Sequence, residues 1–351
     1  MKKFLALIMA GLMTFGLTAC GGSQDSTATE EPAKLEDKLV IYSTHGEDML
    51  EFVSDAFTEK TGVPVEFINL KGELADRVRA EKENPQADIM YGGASSLFIE
   101  MAGEDVFEPT TPSWEGELGD MFKAQDGSWY GTIKTPVMMF YNKELLSEDK
   151  APKDWSDLAK PEYQNLIVSR DSVSSSIRAT MMSILYQYDK EGKLDEGWDF
   201  FSKLDANMKN YYNSGSMLFQ AVGKKEAAIS FAVQSDIIDN IENNNMPLQI
   251  VDATSGSVVI TDGVAAIKNA PHPNAAKAFV EFAGSAEMQS KIANEFNRIP
   301  TLASALESCP EWMKTEYKAM DTDWGVVSEK QGEWLQKWND EIKDASKDIK
   351  E

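Results

Sequence analysis

At 351 residues, 42% of them hydrophobic, the chain is long enough to fold as two compact domains. Its formal net charge of −24 argues against a nucleic-acid partner and against an electrostatic grip on anionic lipid. Two histidines far apart in sequence support neither a metal site nor a histidine-based catalytic triad.

The first twenty residues read as a leader. Lys2 and Lys3 form a positive n-region, Phe4 to Leu17 an apolar stretch too short for a membrane span, and Leu17-Thr18-Ala19-Cys20 a small-residue site. That site resembles the lipobox of bacterial lipoproteins, which implies cleavage before Cys20 and lipidation of its thiol. An ordinary signal peptide with an incidental cysteine is the alternative. Residues 21–36 carry no apolar cluster and read as a flexible linker. The body is therefore expected to be exported and lipid-anchored on the outer face of the cytoplasmic membrane. Cys309 then remains as a lone cysteine, in a Ser308-Cys309-Pro310 turn that leads into a helix.

Beyond the linker, strands and helices alternate. Asp37 to Tyr42 is a strand, Glu47 to Thr61 a helix, Val63 to Leu70 a strand, Glu73 to Lys82 a helix and Ala87 to Tyr91 a short strand. Gly92 to Ser96 is a small-residue turn before a helix from Leu97 to Ala102. This is a β-α-β-α-β-α series with a parallel sheet. Ser128 to Lys134 and Val137 to Asn142 are β-like and interrupted by Thr135-Pro136. Leu166 to Val168, Met208 to Tyr212, Ala227 to Val233 and Pro247 to Val251 are further strands, with helices between them. Val258 to Ile267 is β-like and returns to the first sheet. Helices over 274–283, 286–294, 312–320 and 330–347 complete the chain.

Seven segments in this order resemble the solute-binding lipoproteins of bacterial ABC importers, in the class of ferric-ion, polyamine, organophosphonate and sugar-phosphate binders. They are Leu39 to Ser43, Ala56 to Gly62, Ala87 to Ile89, Tyr141 to Lys143 with Pro152 to Leu158, Ser214 to Ser216 before Ala221-Val222, and His272 to Phe279. The resemblance implies an α/β, two-lobed periplasmic-binding-protein type II fold with two crossover hinge strands, near Lys134–Tyr141 and Val251–Ile260. Lobe 1 would comprise 37–136 and 258–351 and lobe 2 137–257, with some C-terminal helices free to pack on lobe 2. A monomer would close on a small solute and deliver it to the transmembrane permease. It would be no enzyme, and would need no cofactor.

The turns expected at the cleft are Ser43, Thr44 and His45; Gly92, Gly93, Ala94 and Ser95; Ser174 and Ser175; Ser214, Gly215 and Ser216; Gln234, Ser235 and Asp236; and Thr254 and Ser255, with Thr135 at the hinge. Most are small, hydroxylated and placed before a helix, where unpaired amides and the helix dipole favour an anion. Each alone is equally an ordinary helix cap. Together they predict a small anionic ligand, such as a sugar phosphate or phosphonate. Lys134 and Arg170 could add charge, although a solvated or paired surface role is the stronger reading for either, and Asp236 and Asp252 could hold hydroxyls or an ammonium group. Direct ferric binding is disfavoured, because the family's iron tyrosines would fall where Ala232 to Ser235 stand and its glutamate where Gly92-Gly93 stands. Tyr211-Tyr212 precedes the Ser-Gly-Ser turn instead. His45 is read as a donor to the ligand or as a packed loop residue, and His272 as structural. A polyamine binder and a secreted hydrolase are the remaining alternatives. The hydrolase lacks support from any G-x-S-x-G, Walker or H-E-x-x-H motif.

Overall fold

The computed structural model describes residues 34–70 and 73–349. The leader, Cys20 and most of the linker lie outside the described residues.

The chain opens as β1 (Leu39–Ser43), α1 (Glu47–Thr61), β2 (Val65–Asn69), α2 (Leu74–Ala80), β3 (Ile89–Ala94), α3 (Ser95–Gly103) and a short β4 (Phe107–Glu108). β1 pairs in parallel with β2 and with β3. The helical spacing of Met49, Leu50, Val53 and Phe57 gives α1 its buried face. Gly62 ends it at φ 75°, where its N–H reaches the Thr58 carbonyl. Buried Asp88 ties this half together: it accepts from Val40 N–H at 2.7 Å and from His272 N–H at 2.8 Å, and pairs with the His272 ring at 2.9 Å. His272 is thus bound into the fold.

β5 (Tyr130–Asn142) runs unbroken through Pro136, where two strands were expected. Its partner changes at that point. Residues 130–137 pair with β10, whereas 137–142 pair with β8 and β9. The second series comprises β6 (Ile167–Arg170), α4 (Ser175–Asp189), α5 (Leu194–Asn207), β7 (Met208–Tyr212), α6 (Gly215–Gly223), β8 (Ile229–Val233), α7 (Gln234–Glu242) and β9 (Leu248–Val251). β10 (Val258–Ile267) then returns antiparallel between β5 and β3. The sheet runs β12-β7-β6-β8-β5-β10-β3-β1-β2. β5 and the β9-to-β10 passage therefore join two α/β lobes.

The last part contains α8 (Pro273–Ala283), α9 (Ala286–Phe296), β11 (Ile299–Pro300), α10 (Ala303–Leu306), α11 (Glu311–Lys314), α12 (Trp324–Lys337) and β12 (Asp348–Ile349). Two helix expectations are corrected here. The helix expected over 312–320 ends after α11, because the chain beyond it goes extended: Ser257 N–H donates to the Lys318 carbonyl at 2.7 Å, and Met320 N–H to the Ser257 carbonyl at 2.8 Å. The helix expected over 330–347 begins earlier, is capped by the Asp323 carboxylate, and gives way after Lys337 to a wider turn and then β12. Its Val327 and Trp334, with Trp338 after it, complete the core formed by Met139, Trp155, Leu185, Phe201 and Ile229. A separate core around Leu50, Phe57, Tyr91 and Phe279 supports the other lobe.

Candidate functional site

Where the two halves of the sheet face each other, a cleft of about 470 Å³ is lined by Thr135, Arg170, Ser174–Ser176, Val233, Asp262 and Arg298. A wider outer space of about 620 Å³ meets it at Arg298 and is bounded by Gly215, Ser216, Ser235, Asp236, Asp239 and Phe296.

Two helices start at the inner space. α4 has Ser174 at its N-cap, with no side-chain hydrogen bond to the helix amides and no acid in its first turn. The Ser174 hydroxyl instead sits 3.2 Å from that of Ser176. α7 starts after Val233, which has no side chain able to cap. Neither helix has a side-chain cap on its first-turn amides, so α4 presents about half a positive charge, whereas Asp236 in the first turn of α7 offsets part of that helix's dipole. Arg170 donates one N–H to the Asn213 carbonyl at 3.1 Å, while its Nε is buried with no partner among the described residues. Arg298 is exposed to the cleft and forms no ion pair or hydrogen bond among the described residues.

Arg298 was not singled out by the sequence reading. α9 stops because Asn297 takes a left-handed φ of 54°, and β11 then pairs Ile299 with Lys134 and Pro300 with Ile133. That pairing pins Arg298 beside the hinge strand. Asp262 was also missed. The β10 register shifts there against both neighbours, between Asp262 and Val264 on β3 and between Asp262 and Gly263 on β5. Bulges re-aim side chains in this way. Gly263 is required because a Cβ would come 2.7 Å from the Phe98 ring. An isolated Asp-Gly inside an otherwise apolar strand is the signal that could have revealed it.

The corner after β1 is used differently. Ser43 is fully buried, donates to the Tyr91 carbonyl at 2.6 Å and accepts from His45 N–H at 3.0 Å. His45 lies edge-on to Tyr91, at 4.6 Å between centroids. Its Nε2 is buried without a partner among the described residues. Burial, helped by the Arg298 charge, pushes its pKa down to about 3, so the ring is neutral. Gly92 and Gly93, at φ 85° and 98°, belong to β3, which extends through Ala94 where a turn was expected. A Cβ at Gly92 would meet the His45 ring at 2.8 Å. Glycine thus makes room for the imidazole where a glutamate would collide.

The remaining expected residues divide. Thr135, Ser174 and Ser175 line the inner space, and Gly215, Ser216, Ser235 and Asp236 the outer one. Ser95 opens α3 beside a smaller gap that also holds Ala94, Arg178 and Trp324. Ser214 spends its hydroxyl capping α6, accepting from Met217 N–H. Gln234 is buried. Thr254 and Ser255 bond instead to the Lys153 carbonyl and the Asp154 carboxylate. Tyr211 donates to Asp205 at 2.8 Å, and with Tyr212 borders a cavity of about 300 Å³ that adjoins the inner cleft through Arg170, Val173 and Ser174.

Burial raises the Asp262 pKa to about 6, with Arg298 opposing, and burial also raises that of Asp236. Neither carboxylate has a hydrogen bond or ion pair among the described residues. Among the described residues no group of three or more His, Cys, Asp or Glu side chains could hold a metal.

The sequence matches the family described as bacterial extracellular solute-binding protein over residues 53–322. It is 30% identical over 315 residues to a probable ABC transporter periplasmic-binding protein, y4fP, of Sinorhizobium fredii, covering 88% of this chain and 87% of that protein. Among solved structures, apo ferric ion-binding protein A of Pasteurella haemolytica superposes with a TM-score of 0.77 at 18% identity, over 89% of this chain and 100% of that one. The periplasmic binding protein AfuA of Actinobacillus pleuropneumoniae, with exogenous fructose-6-phosphate bound, gives a TM-score of 0.67 at 25% identity, over 87% and 98%.

Proposed function

The chain belongs to the bacterial extracellular solute-binding protein family, as the substrate-binding protein of an ABC importer, and from that premise we propose that it captures a small organophosphate anion. The observation that carries this reading is the meeting of two helix N-termini, α4 and α7, with Arg170 and Arg298 around one inner cleft. Backbone amides supply geometry and the guanidinium groups supply charge and paired donors, as a phosphoryl group requires. AfuA, solved with fructose-6-phosphate, supports the same ligand class.

The lobes, taken as 37–136 with 258–351 and 137–257, close about β5 and the β9–β10 passage. The ligand favours the closed state by touching both walls, Arg298 from one and α4, α7 and Arg170 from the other. The closed monomer delivers its ligand to the permease while a lipid on Cys20 holds it at the membrane.

A ferric reading draws on the fold shared with ferric ion-binding protein A. It is weaker, because no tyrosine is among the residues lining the inner cleft and the Tyr211 phenol is bound to Asp205. A thermal-shift screen over sugar phosphates, phosphonates, polyamines and ferric salts separates these readings: organophosphates should raise the melting temperature. A shift with ferric salts alone would refute the proposal.

A further inference from the structure

The inner cleft holds a charge that an anion site does not call for. Asp262 is aimed into it by a bulge registered against both neighbouring strands, and its carboxylate has no partner among the described residues. Tyr91 on β3 is kept protonated by burial, with Asp262 adding to the effect. His45 is neutral. Arg298 is close enough to stabilise the carboxylate but forms no ion pair with it. Lys134 on β5, paired opposite Thr261, has its amine pushed down by burial, with Glu316 opposing. Across the cleft stand Arg170 and Asp236.

An oxyanion drawn in by the amides, Arg170 and Arg298 therefore meets a second anion. Two bare anions at hydrogen-bond distance repel, and the contact becomes attractive only when one proton lies between them.

We propose that Asp262 is a specificity-determining residue that admits an oxyanion only with a proton shared between its carboxyl and the ligand. Phosphate monoesters and phosphonates supply that proton, and sulfate esters and sulfonates do not. This deepens the organophosphate reading and rests on it. When Asp262 is ionised, the P–O–H of a ligand monoanion donates to it. When Asp262 is protonated, it donates to the dianion. Both routes hold one proton in the contact, and a phosphoryl group has its second pKa near 6, so it carries that proton readily. A sulfate ester carries none at neutral pH, and binds only with the proton on Asp262. The pKa of about 6 for Asp262 matches this exchange.

Calorimetry on matched pairs tests the assignment: glucose 6-phosphate against glucose 6-sulfate, 2-aminoethylphosphonate against 2-aminoethylsulfonate, and inorganic phosphate against sulfate. At pH 7.5 at least one phosphoryl probe should bind about tenfold to hundredfold more tightly than its sulfur partner, and its affinity should fall about tenfold or more from pH 6 to pH 8. Asp262→Asn should flatten that pH profile and improve binding of the sulfur partner by about tenfold. If wild-type protein binds both members of each pair within about threefold, or if the variant keeps the full discrimination and pH slope, the assignment is overturned while the organophosphate reading survives. If no phosphoryl probe binds at either pH, both fall. The pair comparison needs no variant, so a folding defect in Asp262→Asn leaves it decisive.

Discussion

Two strand-to-helix corners, after β1 and after β6, look alike in sequence and do opposite work. Ser43-Thr44-His45 lies just ahead of one fifteen-residue helix, and Ser174-Ser175-Ser176 holds the N-cap position and opening of another; both runs are rich in hydroxyls. In the first, Ser43 is satisfied on both sides by backbone, and α1 opens with Glu47 and Asp48, which already answer its dipole. In the second, no side chain caps α4, no acid occupies its first turn, and Arg170 adds a cation. A hydroxyl before a helix is therefore a poor guide to a ligand. The guide is what the protein has left unsatisfied.

The sharpest way to break this contrast is Ser174→Asp, which places a carboxylate at the proposed phosphoryl seat. Organophosphate affinity should drop more than about hundredfold by calorimetry while the far-UV circular dichroism spectrum stays native. Unchanged affinity would remove α4 from the site. Arg298→Ala should cost about tenfold to hundredfold, since it deletes one charge-assisted contact.

At the first corner the larger effect should be on folding. Gly92→Ala combines a positive φ with a clash against His45, and should lower unfolding free energy by about 2–3 kcal/mol in denaturant titrations. A native midpoint would show that the ring can retreat. Asp262→Asn should act the other way. The folded pKa is raised from 3.8 to about 6, so the group contributes no penalty below the unfolded pKa, and a cost develops as pH rises through 4 to 6 and is full above it. Removing it should stabilise the unliganded protein at pH 7.5 by about 1–2 kcal/mol, after allowance for solvent in the cleft, and have no effect near pH 3. The smallest effect should come from Glu47→Gln, with organophosphate affinity held within about twofold, because α1 presents its N-terminus to its own acids.

The alternation of strands and helices, the family and the hinge strands were legible because they rest on local periodicity and segment order. Ser174 and Ser175 line the inner space, and Ser216 and Asp236 the outer one. Arg298 was not legible, since nothing in Phe296-Asn297-Arg298-Ile299 shows that a two-residue strand will pin the guanidinium next to β5. Thr254 and Ser255 have suitable chemistry but turn toward Lys153 and Asp154, a choice made by tertiary contacts a hundred residues apart. The helices expected over 312–320 and 330–347 failed for a similar reason. Pairing with Ser257, and the Lys343 contacts to Asp171 and Asp348, outweighed local propensity.

The indole rings of Trp334 and Trp338 have a consequence for the order of events in synthesis. They close a core whose other members begin at Met139, so nearly two hundred residues separate its first contributor from its last. The core around Leu50 and Phe57 is no quicker to close, since it waits for Phe279, Ile292 and Ala305. The half that carries α4 and α7 must wait for the final turns. Neither core is complete until the chain beyond β10 has emerged.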